Sequence, residues 1–220
     1  MIAIDDSLRV LSGAALGVLI CKADVFDSSA EQLAEFDALI HGLEEKYPDL
    51  PLIAQNPHVA ATRAAYKVLG KDPSKYRNSA EAMLRRVSKK NGLYRVNNAV
   101  DVNNMISVES GYSLGSYDLA AVCGQIEWKR SPDGEKYQGI GKDVLNIEHL
   151  PALYDDTGVF GNPTSDSRRT MIGNGRGKDL LYVIYAFDDA DGLPRWLDKT
   201  AELLKKHCAA TIGKTEIIKV

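Results

Sequence analysis

The run from Leu93 to Asp118, LYRVNNAVDVNNMISVESGYSLGSYD, constrains this chain more than any other stretch. Four asparagines, four serines and three tyrosines stand among Val, Ile, Met and Leu, with few charges. Such a segment is too apolar to lie on the surface, and its amides and hydroxyls carry their hydrogen-bonding demand into the interior. A mostly apolar wall with a few placed polar groups is how the lining of a ligand cavity reads. The site is expected here.

Within the run, Leu93 to Ala99 has strand character. Asp101 can cap a helix over Val102 to Glu109, whose apolar residues recur at helical spacing until Gly111 stops it. Asn103 and Asn104 then fall in the first turn, and Ser113, Gly115, Ser116 and Asp118 follow in a glycine-punctuated loop. Helix start and loop are expected to face one cavity. Further on, GNPTSDSRRT (161–170) allows a close turn at Gly161 and crowds Thr164, Ser165, Asp166 and Ser167 ahead of two arginines. It reads either as a polar turn whose arginines pair acids, or as a second wall of the Asn103 and Asn104 cavity.

The remaining elements follow from caps and periodicity. Leu8–Leu11 and Ala14–Val25 read as strands. Ser28 with Glu31 has capping-box spacing before Leu33, Phe36, Ile40, Leu43 and Tyr47, and Pro48 and Pro51 end that helix. Asn56-Pro57 opens a helix that stops at Gly70, and Asn78 with Glu81 opens another through Ser88. Leu119–Arg130 and Glu135–Ile140 bracket SPDG as a hairpin, Val144–Leu150 and Gly158–Phe160 read as strands, and Thr170–Ile172 and Leu180–Phe187 bracket GNGRGKD as a second hairpin. Pro194 opens a last helix, and Thr215–Val220 closes as a strand. Helices bunched rather than alternating with strands predict an α+β fold: one domain over 1–220, largely antiparallel sheet, with a group of helices packed on one side.

A chain of 220 residues, 45% hydrophobic and 26% charged, can bury a substantial core. No apolar run approaches the roughly 20 residues that span a bilayer, and MIAIDDSLRV has no signal-peptide pattern, so a soluble cytoplasmic protein with no membrane partner is expected. Cys21, Cys123 and Cys208 are scattered, which points to a reducing compartment, core packing for each, and no structural metal. GIGK (139–142) and GNGRGK (173–178) lack phosphate-loop spacing, and DDADG (188–192) lacks the downstream Glu of a calcium loop, so no cofactor is expected. His41, His58, His149 and His207 lie outside these motifs.

Charge is unevenly placed. Between Arg63 and Arg95 ten Lys or Arg meet two acids, in a chain whose net charge is −3. Lys71, Lys75, Arg77, Arg85, Arg86, Lys89 and Lys90 form a basic stretch suited to phosphate, with Arg63 and Arg85 as the arginines expected to be buried against acids. A solvated helix back is the alternative.

The motifs NNAVDVNNMISVESGYSLGSYD, GKDPSKYRNSAEAMLRRV and GNPTSDSRRT resemble the B3/B4 domain of the phenylalanyl-tRNA synthetase β subunit, and more closely the freestanding B3/4-domain proteins. The resemblance runs from about Ala54 to about Phe187. It implies tRNA as partner and, as activity, hydrolysis of a mischarged, tyrosine-like aminoacyl ester, with Asn104 and Asp166 as catalytic positions. It further implies that Asn103, Gly111, Ser113, Gly115, Ser116, Asp118, Gly161, Thr164 and Ser165 contact substrate. Asp166 matches an acid that hydrogen-bonds a tyrosine hydroxyl, and Gly115 stands where that family has histidine. A non-catalytic RNA- or amino-acid-binding module, or a small-molecule hydrolase reusing the cavity, are the alternatives.

Overall fold

The computed structural model describes residues 2–141 and 144–220, so Lys142 of GIGK lies outside the described residues. Its centre is β2 (Ala15–Val25), where Ala15, Leu16, Val18, Leu19, Cys21, Ala23 and Val25 are all buried. A strand buried on both faces needs a layer on each side. It lies between β9 (Gly175–Ala186) and β10 (Thr211–Lys219) in an antiparallel sheet of order β10-β2-β9-β3, with β3 (Ser113–Asp118) at the edge.

One face of this sheet carries α5 (Asn98–Ser110) and α6 (Leu193–Cys208), with Leu19, Cys21, Tyr182 and Ile184 packed on Val102, Ile106, Leu197 and Leu204. The other face meets a second sheet of β1 (Ile2–Ile4), β4 (Ile126–Arg130), β7 (Pro151–Asp155) and β8 (Gly158–Gly161). There Leu16, Val18, Val183 and Tyr185 pack on Trp128, Leu153 and Phe160. A third cluster joins α1 (Ala30–Lys46), α2 (Leu50–Ala54), α3 (Pro57–Leu69) and α4 (Ser79–Ser88) to the far side of α5 through Met105 and Val108. β5 (Lys136–Gln138) and β6 (Val144–Asn146) form a separate ribbon. The fold is α+β as expected: β1 and β4 run parallel, and the other strand pairs among the described residues are antiparallel.

Local signals hold where capping decides. Asn56 accepts from His58 N and Val59 N, and α3 ends on Gly70 at φ +91°. Asn78 accepts from Glu81 N at 2.8 Å. Several expectations are corrected. Leu8 sits in a 3-10 turn (Asp6–Leu8) capped by Asp5, and the strand lies ahead of it at Ile2–Ile4. Ser29, not Ser28, caps α1. Residues 93–97 pair with no strand, and α5 starts a turn early because Asn97 caps it; the Asp101 carboxylate instead accepts from Ser28 Oγ and Val96 N. Residues 113–118 are strand rather than loop. The SPDG hairpin does not form: Asp118 caps a 3-10 turn at Leu119–Ala121, β4 pairs with β1 and β7, and β5 pairs with β6. GNGRGKD is no hairpin loop either, because β9 already begins at Gly175 and stays paired with β2 as far as Val25. Thr170 belongs to a 3-10 turn.

Cys21 and Cys208 are core residues whose thiols burial pushes up to about 12, whereas Cys123 is exposed, against expectation. Among the described residues no helix is long and apolar enough to cross a membrane.

Candidate functional site

α5 is buried along its length apart from Val100 and Glu109, which are partly exposed. Its asparagines divide sharply. Asn97 caps the helix and donates to Ile172 O at 3.1 Å. Asn98 accepts from Phe26 N and donates to Asp24 O and His207 O at 3.0, 3.0 and 2.9 Å, so its amide is used up as a structural clamp. Asn103 and Asn104, in the second turn rather than the first, are 6% and 5% exposed yet bond only each other among the described residues, Nδ2 of Asn103 to Oδ1 of Asn104 at 3.4 Å. Asn103 Oδ1 and Asn104 Nδ2 are left without partners. An unpaired buried amide costs about 1–3 kcal/mol, so two side by side mark a place where something else completes them.

Both line a cavity of about 470 Å³. Its walls come from α4, α5, β3 and the segment 162–172, and Ser116, Thr164, Ser165 and Asp166 line it with the asparagines. Met83, Val100, Leu114 and Ile172 supply apolar wall, and Tyr94, Val96, Ile140 and Met171, all substantially exposed, belong to the same lining. Thus helix and polar turn do face one cavity.

The polar turn is fixed by side-chain bonds together with backbone bonds from its neighbours. The Asn162 carbonyl accepts from Thr164 N and Ser165 N at 2.8 and 3.2 Å, and its amide donates to the Tyr137 hydroxyl. Tyr66 bonds Thr164 at 2.8 Å, Ser79 N donates to Pro163 O at 2.7 Å, and Ile140 N donates to Asp166 O at 3.0 Å. The Asp166 carboxyl is pushed up to about 7 by burial, against the opposing hydrogen bond from Tyr117. Of the two arginines that follow, Arg168 donates to Gly139 O at 3.1 Å and Arg169 grips Asp155 through two bonds of 2.9 Å. Burial alone would raise the Asp155 carboxyl, but Arg169, Cys123 N–H and Thr157 hold it down at about 2.

The other expected contacts lie elsewhere. Gly111 is the left-handed C-cap of α5, and a Cβ there would fall 2.4 Å from Asn56 Oδ1. Ser113 points at Asn78, and Asp118 caps the following turn and pairs Lys178. Gly115 of the first sheet and Gly161 of the second face each other across the Tyr117 ring, between the sheets and outside the cavity lining. Among the described residues no histidine lines the cavity: His58 pairs Asp188, His149 pairs Asp133, His207 pairs Glu35 and His41 lies near Glu44. Sequence reasoning missed Tyr117. Its signal was a glycine two residues before a tyrosine on one strand face, a gap the ring fills.

A second concavity of about 410 Å³ adjoins the first. Lys75, Arg77, Arg85, Arg86 and Lys89 line it with Tyr76 and Leu145, and it shares Ala82, Arg86 and Thr164 with the cavity. Buried Glu81 orients the arginines, bonding Arg63 at 3.0 Å with Arg77 and Arg85 at 3.9 and 3.8 Å. Lys71 is placed differently from its neighbours in sequence. It is 4% exposed, bonded to Asn146 and stacked over the Tyr76 ring, and burial lowers its pKa although Glu148 opposes this. Lys90 is exposed beyond the end of α4.

Residues 61–208 match the family model described as B3/4 domain. The chain is 26% identical over 188 residues to the phenylalanine–tRNA ligase beta subunit of Syntrophus aciditrophicus (strain SB), an alignment covering 73% of this chain and 22% of that protein. It is also similar, with 13% identity and a TM-score of 0.48, to an N-terminal fragment of the phenylalanyl-tRNA synthetase beta subunit from Pyrococcus horikoshii, over 96% of this chain and 50% of that one. The chain therefore spans about a fifth of the curated relative and half of the solved fragment.

Proposed function

Since the chain belongs to the B3/4 domain family, we propose that it acts as one domain that binds the aminoacyl end of tRNA and hydrolyses a mischarged amino acid from it. The observation that carries this reading is the continuity of a cationic groove with a polar-tipped cavity through Arg86 and Thr164. RNA phosphates lie along Lys75, Arg77, Arg85 and Lys89, which neutralise them, and the terminal aminoacyl group enters the cavity. Arg86 stands at the junction, its guanidinium held by Asn91 O and Gly92 O.

Inside, Asn103 Oδ1 accepts from the α-ammonium group and Asn104 Nδ2 donates to the ester carbonyl oxygen, where negative charge develops as water adds. Asp166 in its ionised form takes the proton of that water. A carboxyl near 7 is ionised in about half the molecules at neutral pH and is a stronger base than an ordinary Asp. Addition of water forms the new C–O bond, and the bond to the ribose oxygen breaks as that oxygen receives the proton that Asp166 took from the water. Histidine is not required. Ser116, Thr164 and Ser165 bound the acyl group, and Gly111, Ser113, Gly115, Asp118 and Gly161 act by shaping the elements that carry it.

The test is hydrolysis of tyrosyl- and phenylalanyl-tRNA(Phe) by the protein and by Asn104→Ala and Asp166→Asn. Selective loss of the tyrosyl ester, abolished in both variants, is the expected result. Tight, salt-sensitive tRNA binding without turnover would leave a binding module, and neither would sink the reading.

A further inference from the structure

Tyr117 is fully buried, two residues from Gly115 on the same strand face, and its ring lies between Gly115 and Gly161. A Cβ at residue 115 would come within 1.9 Å of the Tyr117 hydroxyl oxygen, and one at residue 161 within 2.2 Å. No side chain other than hydrogen fits at either position while the phenol stays where it is. The hydroxyl at the end of this slot donates to Asp166 Oδ1 at 2.8 Å and lies 2.9 Å from the Tyr185 hydroxyl. A phenol has one proton; with that of Tyr117 given to Asp166, Tyr185 must be the donor to Tyr117. The result is a directed chain, Tyr185 to Tyr117 to Asp166, running from the apolar interface between the sheets to the cavity wall.

We infer that Tyr117 is a positioning residue for the cavity: backed by Tyr185, it fixes the Asp166 carboxyl by one oxygen, alongside a backbone N–H from Asn162. Gly115 and Gly161 are thereby explained as the walls of its slot rather than as substrate contacts. The inference deepens the proposed hydrolysis and rests on it for its kinetic consequence, though not for its structural one. A hydrogen bond donated to a carboxylate favours the ionised form, so Tyr117 makes Asp166 a base at lower pH than burial alone would permit. Tyr185 strengthens that donor by polarising it.

The experiment has two readouts. In the free protein, the carboxyl ¹³C resonance of Asp166 is titrated in wild type, Tyr117→Phe and Tyr185→Phe. In parallel, the pH dependence of mischarged-tRNA hydrolysis is measured in the same three proteins. Tyr117→Phe is expected to move the Asp166 midpoint upward by about one to two pH units. Tyr185→Phe, which keeps the bond to Asp166, moves it less in the same direction. The acid limb of the rate profile follows both shifts, with kcat lowered and KM nearly unchanged. If wild type shows no hydrolysis while the resonance still shifts, the functional reading fails and the positioning role stands. An Asp166 midpoint that is the same in all three proteins overturns the inference, whatever the kinetics show. Should Tyr117→Phe not fold, the shift in Tyr185→Phe decides alone, and its absence is the refuting result.

Discussion

Replacing Asp166 by Asn removes a charge and almost nothing else: the side chain keeps its size and an oxygen that can accept from Tyr117. The folded protein holds this carboxyl at about 7 against 3.8 for an ordinary Asp, because ionising it means desolvating a charge in the cavity wall. Below about pH 4 the group is protonated in folded and unfolded chains alike, and it costs the wild type nothing. As pH rises toward 7 the unfolded chain loses the proton while the folded chain keeps it, so folding becomes progressively less favourable; above 7 the penalty is complete. About three pH units correspond to about 4 kcal/mol, a ceiling that water in the cavity reduces. Asp166→Asn should therefore match wild type at pH 4 and exceed it by up to that amount at pH 8. Urea denaturation of both proteins at pH 4, 6 and 8 measures the difference directly. A gap that stays constant with pH, or one that favours wild type at pH 8, would refute the reasoning and with it the case for a carboxylate poised for proton transfer.

The two kinds of asparagine in α5 should behave oppositely. Asn98→Ala strands backbone groups of Asp24, Phe26 and His207 and should destabilise by about 3 kcal/mol in thermal or chemical unfolding, while Asn104→Ala, which breaks one 3.4 Å contact, should change stability by about 1 kcal/mol or less. Glu81→Gln uncouples Arg63, Arg77 and Arg85 and should lower stability by about 2 kcal/mol, less than for a fully buried pair because Arg63 is partly exposed. Lys75→Ala and Lys89→Ala should each reduce the salt-dependence slope of tRNA binding by about 0.7, read from affinities at several salt concentrations. Lys71→Ala, by contrast, should show its effect in the melting temperature, since its ammonium is committed to Asn146.

What was legible in the sequence was whatever short-range chemistry decides. Asn56-Pro57 and Gly70 bound α3, and Asn78 with Glu81 opens α4, because caps act within a turn. Part of the cavity lining was legible too: a buried segment dense in amides had to satisfy them or present them, and Asn103 and Asn104 present them, whereas Gly111, Ser113, Gly115, Asp118 and Gly161 lie outside the lining. What escaped depends on distant partners. Asn97 and Asp101 are both competent caps, and the choice falls to Asn97 because Ser28, far back in the chain, claims Asp101. Ser113–Asp118 has weak intrinsic strand preference and is a strand because β9 supplies its hydrogen bonds. Lys71 reads as one more surface cation until Asn146 is seen to hold it. Tyr117 needed three distant facts at once: the glycine at 161, the acid at 166 and the phenol at 185.

The helix that carries Asn103 and Asn104 is packed by the sheet core on one side and by the α1–α4 cluster on the other. A substitution that shifted it would disturb both cores together, so this wall behaves as an anvil. The opposing wall, residues 162–172, contributes no strand to either packed sheet and is held by side-chain bonds from Asn162, Tyr137 and Tyr66 and by a few backbone bonds, among them the Gly139–Ser167 bridge, which makes it the adjustable jaw. Tuning what the cavity accepts, by evolution or by engineering, is therefore a matter of rewriting the jaw; the anvil tolerates only changes at the two amides themselves.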